Sequence, residues 1–233
     1  DGQPTDHAEA HNVYGMLNTR STFEGLQRLR PDTRPFVLTR ATFAGGQRYA
    51  AVWPGDNTAD WSALRQSIPT LLGMGLSGFP FVGADIGGFA GSPSPELFTR
   101  WLQAAQFSPF MRAHTEQQSA DQEPWSYGVR HEGINRRVIE ARYQWLPQIY
   151  SEMEAAHRSG IPAMRPLFLD YPNDPETWSR DDSYLFGSDL LIAPVLVEGA
   201  THREVYLPGA AWYSFDSVQR FEGEQSHRVP VEL

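Results

Sequence analysis

The sequence predicts an α/β fold that ends in a small all-β unit. Short runs rich in β-branched and aromatic residues alternate with longer segments of helical period, as expected where parallel strands are joined by crossover helices. After about residue 172 the helical period stops, and "YLFGSDLLIAPVLVEGATHREVYLPGAAWYSFDS" breaks into short runs split by Gly, Pro and Asp.

In chain order, the first two expected strands are 35–39 (PFVLT) and 49–53 (YAAVW). A helix near 61–75 carries Leu64, Ile68, Leu71 and Leu72 on one face, with a bend expected at Pro69. A third strand is expected at 78–82 (GFPFV). The helix at 95–107 is the clearest: Ser94 can cap it, Pro95 suits its first turn, and Leu97, Phe98, Trp101, Leu102, Ala104 and Ala105 recur at helical spacing. A strand at 109–113 (PFMRA) follows. A long helix then spans about 134–159 through Ile134, Val138, Ile149 and Met153, with a kink expected at Pro147 and a stop at Gly160. A strand at 163–169 (AMRPLFL) closes the α/β part, which places the division at 1–171 and 172–233.

Composition excludes several functions. In 233 residues there are 19 Lys and Arg against 28 Asp and Glu, a net charge of −9 that is scattered along the chain, so neither nucleic acid nor an anionic membrane is an expected partner. No apolar run approaches the roughly 18–20 residues needed to span a bilayer. The N-terminal "DGQPTDHAEAHNVYG" lacks the basic and apolar regions of a signal peptide. There are no cysteines, which removes disulfides, thiolate nucleophiles and Cys-bound metals but leaves the compartment open.

The chemistry-bearing residues fall at one kind of position. Arg40 follows the strand ending at Thr39, Asp56 the one ending at Trp53, Asp85 the one ending at Val82, and His114 the one ending at Ala113. Alone, Gly-Asp-Asn around Asp56 is ordinary turn chemistry. Four ionisable groups at the C-terminal ends of successive strands are different, because in a parallel barrel or sheet those ends share the face that binds substrate. Trp53 and Phe89 flank them, and polar groups beside aromatic faces suit a sugar. The glycines of "GADIGGFAG" let backbone approach a ligand but lack the Lys and spacing of a phosphate loop. Metal and cofactor chemistry is not expected: His7 and His11 are four apart with Glu9 between, but the metalloprotease order needs Glu directly after the first His. No Gly-x-Ser-x-Gly elbow follows an expected strand.

The segments "HNVYG", "TRATFAGGQRYAAVWPGDNTADW", "GADIGGF", "FMRAHT", "RYQWLPQIY", "GIPAMRPLFLDYP" and "LLIAPV…VYLPGAAWY" resemble, in order, the C-terminal half of the family 31 glycoside hydrolases, the α-glucosidases and α-xylosidases. The resemblance implies the second half of a (β/α)8 barrel followed by a small β-sandwich, and retaining hydrolysis of an α-glucoside or α-linked oligosaccharide through a covalent glycosyl-enzyme. It makes Asp56 the general acid/base, Arg40 and His114 binders of sugar hydroxyls, and Trp53, Asp85 and Phe89 the lining of the same pocket. The acid role requires Asp56 to hold a proton when substrate arrives, a state that a second carboxylate favours and Arg40 opposes.

The family's nucleophile sits in an Asp-Met-Asn-Glu-like motif upstream of the "HNVYG" helix, and no such motif occurs in these residues. The expectation is therefore a fragment without its nucleophile, inactive alone and of low stability because a half barrel leaves two strand edges unpaired. A transglycosylase, an α-xylosidase and a non-catalytic carbohydrate-binding chain are the alternatives. Oligomeric state is not legible.

Overall fold

In the computed structural model, which describes residues 4–233, the chain forms eleven short strands and five α-helices among the described residues. Four strand positions run parallel in chain order. β1 (Leu38–Thr39) pairs with β2 (Ala51–Val52), Val52 bridges to Val82, and β3 (Asp85–Ile86) pairs with β4 (Arg112–Ala113). Between them come α2 (Trp61–Leu76), α3 (Pro95–Ala104) and α4 (Gly128–Ser159), the last following β4. α1 (His7–Leu29) precedes β1.

The helices obey their local signals. Ser94 accepts from the Leu97 N–H and Pro95 takes the first turn of α3. Asp60 accepts from the Ala63 N–H to start α2. Gly160, at φ 78°, ends α4 in the left-handed conformation. α4 begins at Gly128 rather than 134, because residues 128–133 carry no apolar stripe, and its assignment runs unbroken through Pro147, where a kink was expected. α1 has no counterpart among the elements read from periodicity. Only Thr19 is buried along its 23 residues, so it shows no apolar face to detect. Gly15 seats it against the loop after β1, where a Cβ would lie 2.7 Å from that of Ala41.

Three strand expectations need correction. Residues 78–81 are not a strand: the C-terminal turn of α2 continues through Gly78, at φ 93°, and the Phe79 N–H donates to the Met74 carbonyl. Pairing begins only at Val82, and the strand proper is Asp85–Ile86, so Asp85 lies in a strand rather than after one. Tyr49 closes a 3-10 turn over Gly46–Arg48, which shortens the second strand to Ala51–Val52. The strand expected at 163–169 ends at Pro166. This β5 (Met164–Pro166) is antiparallel to β6 (Tyr184–Phe186), which pairs in turn with β7 (Leu190–Ile192), and α5 (Leu167–Asp170) follows β5 directly. It therefore belongs to a sheet that straddles residue 171, and not to the parallel series.

The rest of the all-β part is also antiparallel. β8 (His202–Leu207) pairs with β11 (Gln225–Pro230), and β9 (Ala211–Tyr213) with β10 (Arg220–Glu222). One apolar core runs from the parallel strands through α2 and α3 into β6, including Val82, Leu64, Phe98, Trp101 and Phe186. Among the described residues no helix is long and apolar enough to cross a membrane.

The two ends of the parallel strands differ in chemistry. At the N-terminal ends Phe36, Phe81 and Phe110 cluster with ring centroids 6.1–6.4 Å apart. At the C-terminal ends lie the ionisable groups.

Candidate active site

Arg40 directly follows β1 and Asp56 comes four residues after β2, so the parallel register of these strands sets the two loops side by side. Arg40 Nη1 donates to Asp56 Oδ2 at 3.3 Å, with both side chains about half exposed (59% and 50%). Gly55 makes the approach possible. Its φ is 99°, and a Cβ there would come within 2.9 Å of Arg40 Cδ. An ion pair this exposed is solvent-screened and adds little stability. It does present a carboxylate and a guanidinium together to anything entering from that face.

Beneath this pair lies a buried one. Asp85 and Arg112 sit opposite each other in the β3–β4 register, and Arg112 Nη2 donates to Asp85 Oδ1 at 2.5 Å. The Asp85 side chain has no exposure and that of Arg112 is 26% exposed. Burial pushes the Asp85 carboxyl above its ordinary range; the Arg112 bond and charge and the charge of His114 oppose this, while Asp56 adds to it. Arg112 also lies over the Trp53 ring at 5.2 Å and the Phe110 ring at 5.4 Å. Asp85 Oδ2 and Trp53 Nε1 are buried with no hydrogen-bond partner among the described residues.

A third group forms the far wall. Phe89 and His114 lie with ring centroids 5.3 Å apart and planes inclined at 35°. The Phe89 N–H donates to both the backbone carbonyl and the side-chain Oδ1 of Asn57, and Asn57 Nδ2 donates to the Asp85 carbonyl. From the other side, the Phe89 carbonyl accepts from Thr115 Oγ1 and the Glu116 N–H. Gly88 permits this closeness: at φ 88°, a Cβ would lie 2.5 Å from the Ala59 backbone. Asn57, next to Asp56, thus ties the Asp56 loop to the Phe89 loop.

All six sequence-predicted residues gather at this end of the strands, but in two layers. Arg40, Asp56, Phe89 and His114 form the accessible rim, while Trp53 and Asp85 form the base. Two residues escaped the sequence reading. Arg112 alternates with His114 along "FMRAHT", and that period of two could have flagged it. Asn57 was absorbed into the turn reading of Gly-Asp-Asn, and no local signal tells that its amide reaches 32 residues along the chain. Among the described residues no group of three or more His, Cys, Asp or Glu is placed to hold a metal ion.

Comparisons with known proteins bear on the family and the fold. Residues 1–152 match the family model described as the glycosyl hydrolases family 31 TIM-barrel domain, and residues 160–233 match that of the glycosyl hydrolase family 31 C-terminal domain. The chain is 44% identical over its whole length to α-glucosidase 2 of Bacillus thermoamyloliquefaciens, covering 30% of that protein. It is 47% identical over 98% of its length to neutral α-glucosidase AB of Homo sapiens, covering 24% of that protein. It spans between about a quarter and a third of the length of these curated relatives. Among solved structures, a Flavobacterium johnsoniae family 31 dextranase complexed with glucose superimposes with a TM-score of 0.91 over 96% of this chain and 29% of its own, at 39% identity.

Proposed function

This chain belongs to glycosyl hydrolase family 31, and we propose that it carries the acid/base side of a retaining α-glucosidase active site. One observation carries the reading: the half-exposed Asp56 carboxyl, held by Arg40 at 3.3 Å, stands on the rim that Phe89 and His114 complete. In that role Asp56 gives a proton to the glycosidic oxygen as the bond to the sugar breaks, then takes one from the water that attacks the glycosyl-enzyme. Arg40 and the His114 imidazole hydrogen-bond sugar hydroxyls, and the Phe89 ring covers a C–H face. Asn57 sets the spacing between acid and platform, because its amide bonds to both Phe89 and Asp85.

A retaining mechanism needs a second carboxylate about 5 Å from the first, free to attack the anomeric carbon. Asp85 does not suit that task, since it is fully buried and bonded to Arg112. The reading therefore places the nucleophile outside these 233 residues, in the Asp-Met-Asn-Glu-like motif absent from them. It makes the barrel partial, with β1 to β4 as its closing strands and the antiparallel sheets as the start of a C-terminal sandwich.

The test is kinetic. The 233-residue chain is expected to leave 4-nitrophenyl α-D-glucoside intact, whereas a protein that also carries the preceding coding sequence hydrolyses it with α-glucose as first product. In that protein Asp56→Ala should slow alkyl glucosides far more than activated aryl glucosides, whose leaving groups need no proton. Equal losses on both would refute the acid role, and turnover by the isolated chain that Asp56→Asn abolishes would refute the missing nucleophile. Xyloside turnover and product analysis at high substrate separate the α-xylosidase and transglycosylase readings. Sugar binding without turnover by the longer protein would leave only the binding module.

A further inference from the structure

The first turns of α1 hold two histidines on one face. His7 Nε2 and His11 Nδ1 lie 3.0 Å apart, with the ring planes at 84° and both residues exposed. The helical spacing of four brings them together, as it brings any i, i+4 pair to one side of a helix. Asp6 fixes the start of the helix by accepting from the Glu9 N–H at 2.9 Å, and the Glu9 carboxylate accepts from Thr5 Oγ1. Neither imidazole serves the sugar-binding rim.

We propose that His7 and His11 form a two-point chelate for a tetragonal d-block dication of the Cu²⁺ or Ni²⁺ class, with water filling the remaining positions. Imidazole nitrogen suits the late first-row dications, and the affinity order along that row puts Cu²⁺ foremost, with Ni²⁺ just before it. Imidazole nitrogens bind such metals at roughly 2.0–2.1 Å, so adjacent positions of a square or octahedral shell need a separation of roughly 2.9 Å, against roughly 3.3–3.4 Å in a tetrahedral one. The 3.0 Å separation is that of a hydrogen bond between the rings, and rotating both rings about their side-chain bonds turns the two lone pairs toward one metal within reach of either shell. On binding, that proton is released and two metal–nitrogen bonds replace the hydrogen bond, so binding is lost in acid. The positive pole of the helix works against a cation here, and the carboxylates of Asp6 and Glu9 in the same turn offset it. The other histidines stand apart: His131 bonds to Thr99, His202 to Thr201 and His227 to the Glu222 carbonyl.

Calorimetric titration of the 233-residue protein with Ni²⁺, and titration with Cu²⁺ followed by its visible absorption, should each show one site per chain at pH 7.5 and none at pH 5. His7→Ala and His11→Ala should each weaken the site at least tenfold and to the same extent, while His202→Ala leaves it unchanged. Because the pair spans the first two turns of α1, Ni²⁺ should also raise the melting temperature of the parent and not of either variant. Binding that survives His7→Ala or His11→Ala, or no saturable binding by the parent, overturns the proposal.

Discussion

Replacing Arg112 by methionine removes the only hydrogen-bond partner found for the Asp85 carboxylate among the described residues, and the consequence can be estimated from the geometry. The Asp85 side chain has no exposure and its Oδ2 is already without a partner, so the substitution leaves both oxygens buried and unpaired. Breaking a buried pair in this way costs about 3–5 kcal/mol. The 26% exposure of Arg112 favours the lower part of that range, and loss of its contact with Trp53 adds about 0.5–1 kcal/mol. A loss near 3–4 kcal/mol, with a urea m-value of about 2 kcal/mol/M, lowers the unfolding midpoint by roughly 1.5–2 M. Tryptophan fluorescence during urea unfolding reads this directly. The double variant Asp85→Leu/Arg112→Met removes both charges and should recover at least half of the loss, because the penalty belongs to the stranded carboxylate. The pH dependence has a definite sign. A carboxyl whose folded value is raised contributes stability fully present below its unfolded value, about 4, and lost as pH rises through the folded value. Without Arg112 that value rises further, so the deficit of Arg112→Met should be smallest near pH 4 and largest at neutrality. A single-variant cost under 1 kcal/mol, or a double variant equal to the sum of the singles, would refute the reasoning.

Three further outcomes are expected. Gly88→Ala must adopt φ 88° and push against the Ala59 backbone 2.5 Å away, so thermal melting should show a loss of roughly 2–4 kcal/mol, whereas Gly73→Ala, on an open stretch of α2 with nothing within 4 Å, should gain about 0.5–1 kcal/mol. Asp60→Ala removes the N-cap of α2 and should cost about 1 kcal/mol at neutral pH. The Thr58 hydroxyl first, then the Ala63 N–H, hold the Asp60 carboxyl below its ordinary range, so its contribution is present above about pH 4 and lost as pH falls through the folded value; urea midpoints of parent and variant should converge in acid.

The chain of local signals was enough for most helices and for the rim. The cap at Ser94, the apolar stripe of α3 and the stop at Gly160 each depend on residues within a turn of one another. Arg40, Asp56 and His114 could be placed because each follows a recognisable apolar run. The strands were harder. Residues 78–82 read as a strand from their aromatic content, but Gly78 and Phe79 still hydrogen-bond to the end of α2. The run at 163–169 carries no mark of direction, and only its pairing with β6 reveals that it is antiparallel. Periodicity does not reveal α1, since a helix with one buried residue has no apolar period to read, and only the family resemblance marks its "HNVYG" segment as helical.

The sequence by itself determined that Arg40, Asp56 and His114 would follow strands on one face, since a parallel α/β chain brings every such end to the same side. It also determined the i, i+4 spacing of His7 and His11, which puts both on one side of a single helix. Tertiary structure alone decided which of the site residues face outward. Asp56 and Asp85 are both aspartates near strand ends, yet one is half exposed and the other fully buried. Asp85 lies within a strand, opposite Arg112 27 residues away along the chain, whereas Asp56 lies in the loop after β2. Burial and pairing depend on what the fold brings together from a distance, and a local pattern of residue types does not contain that information.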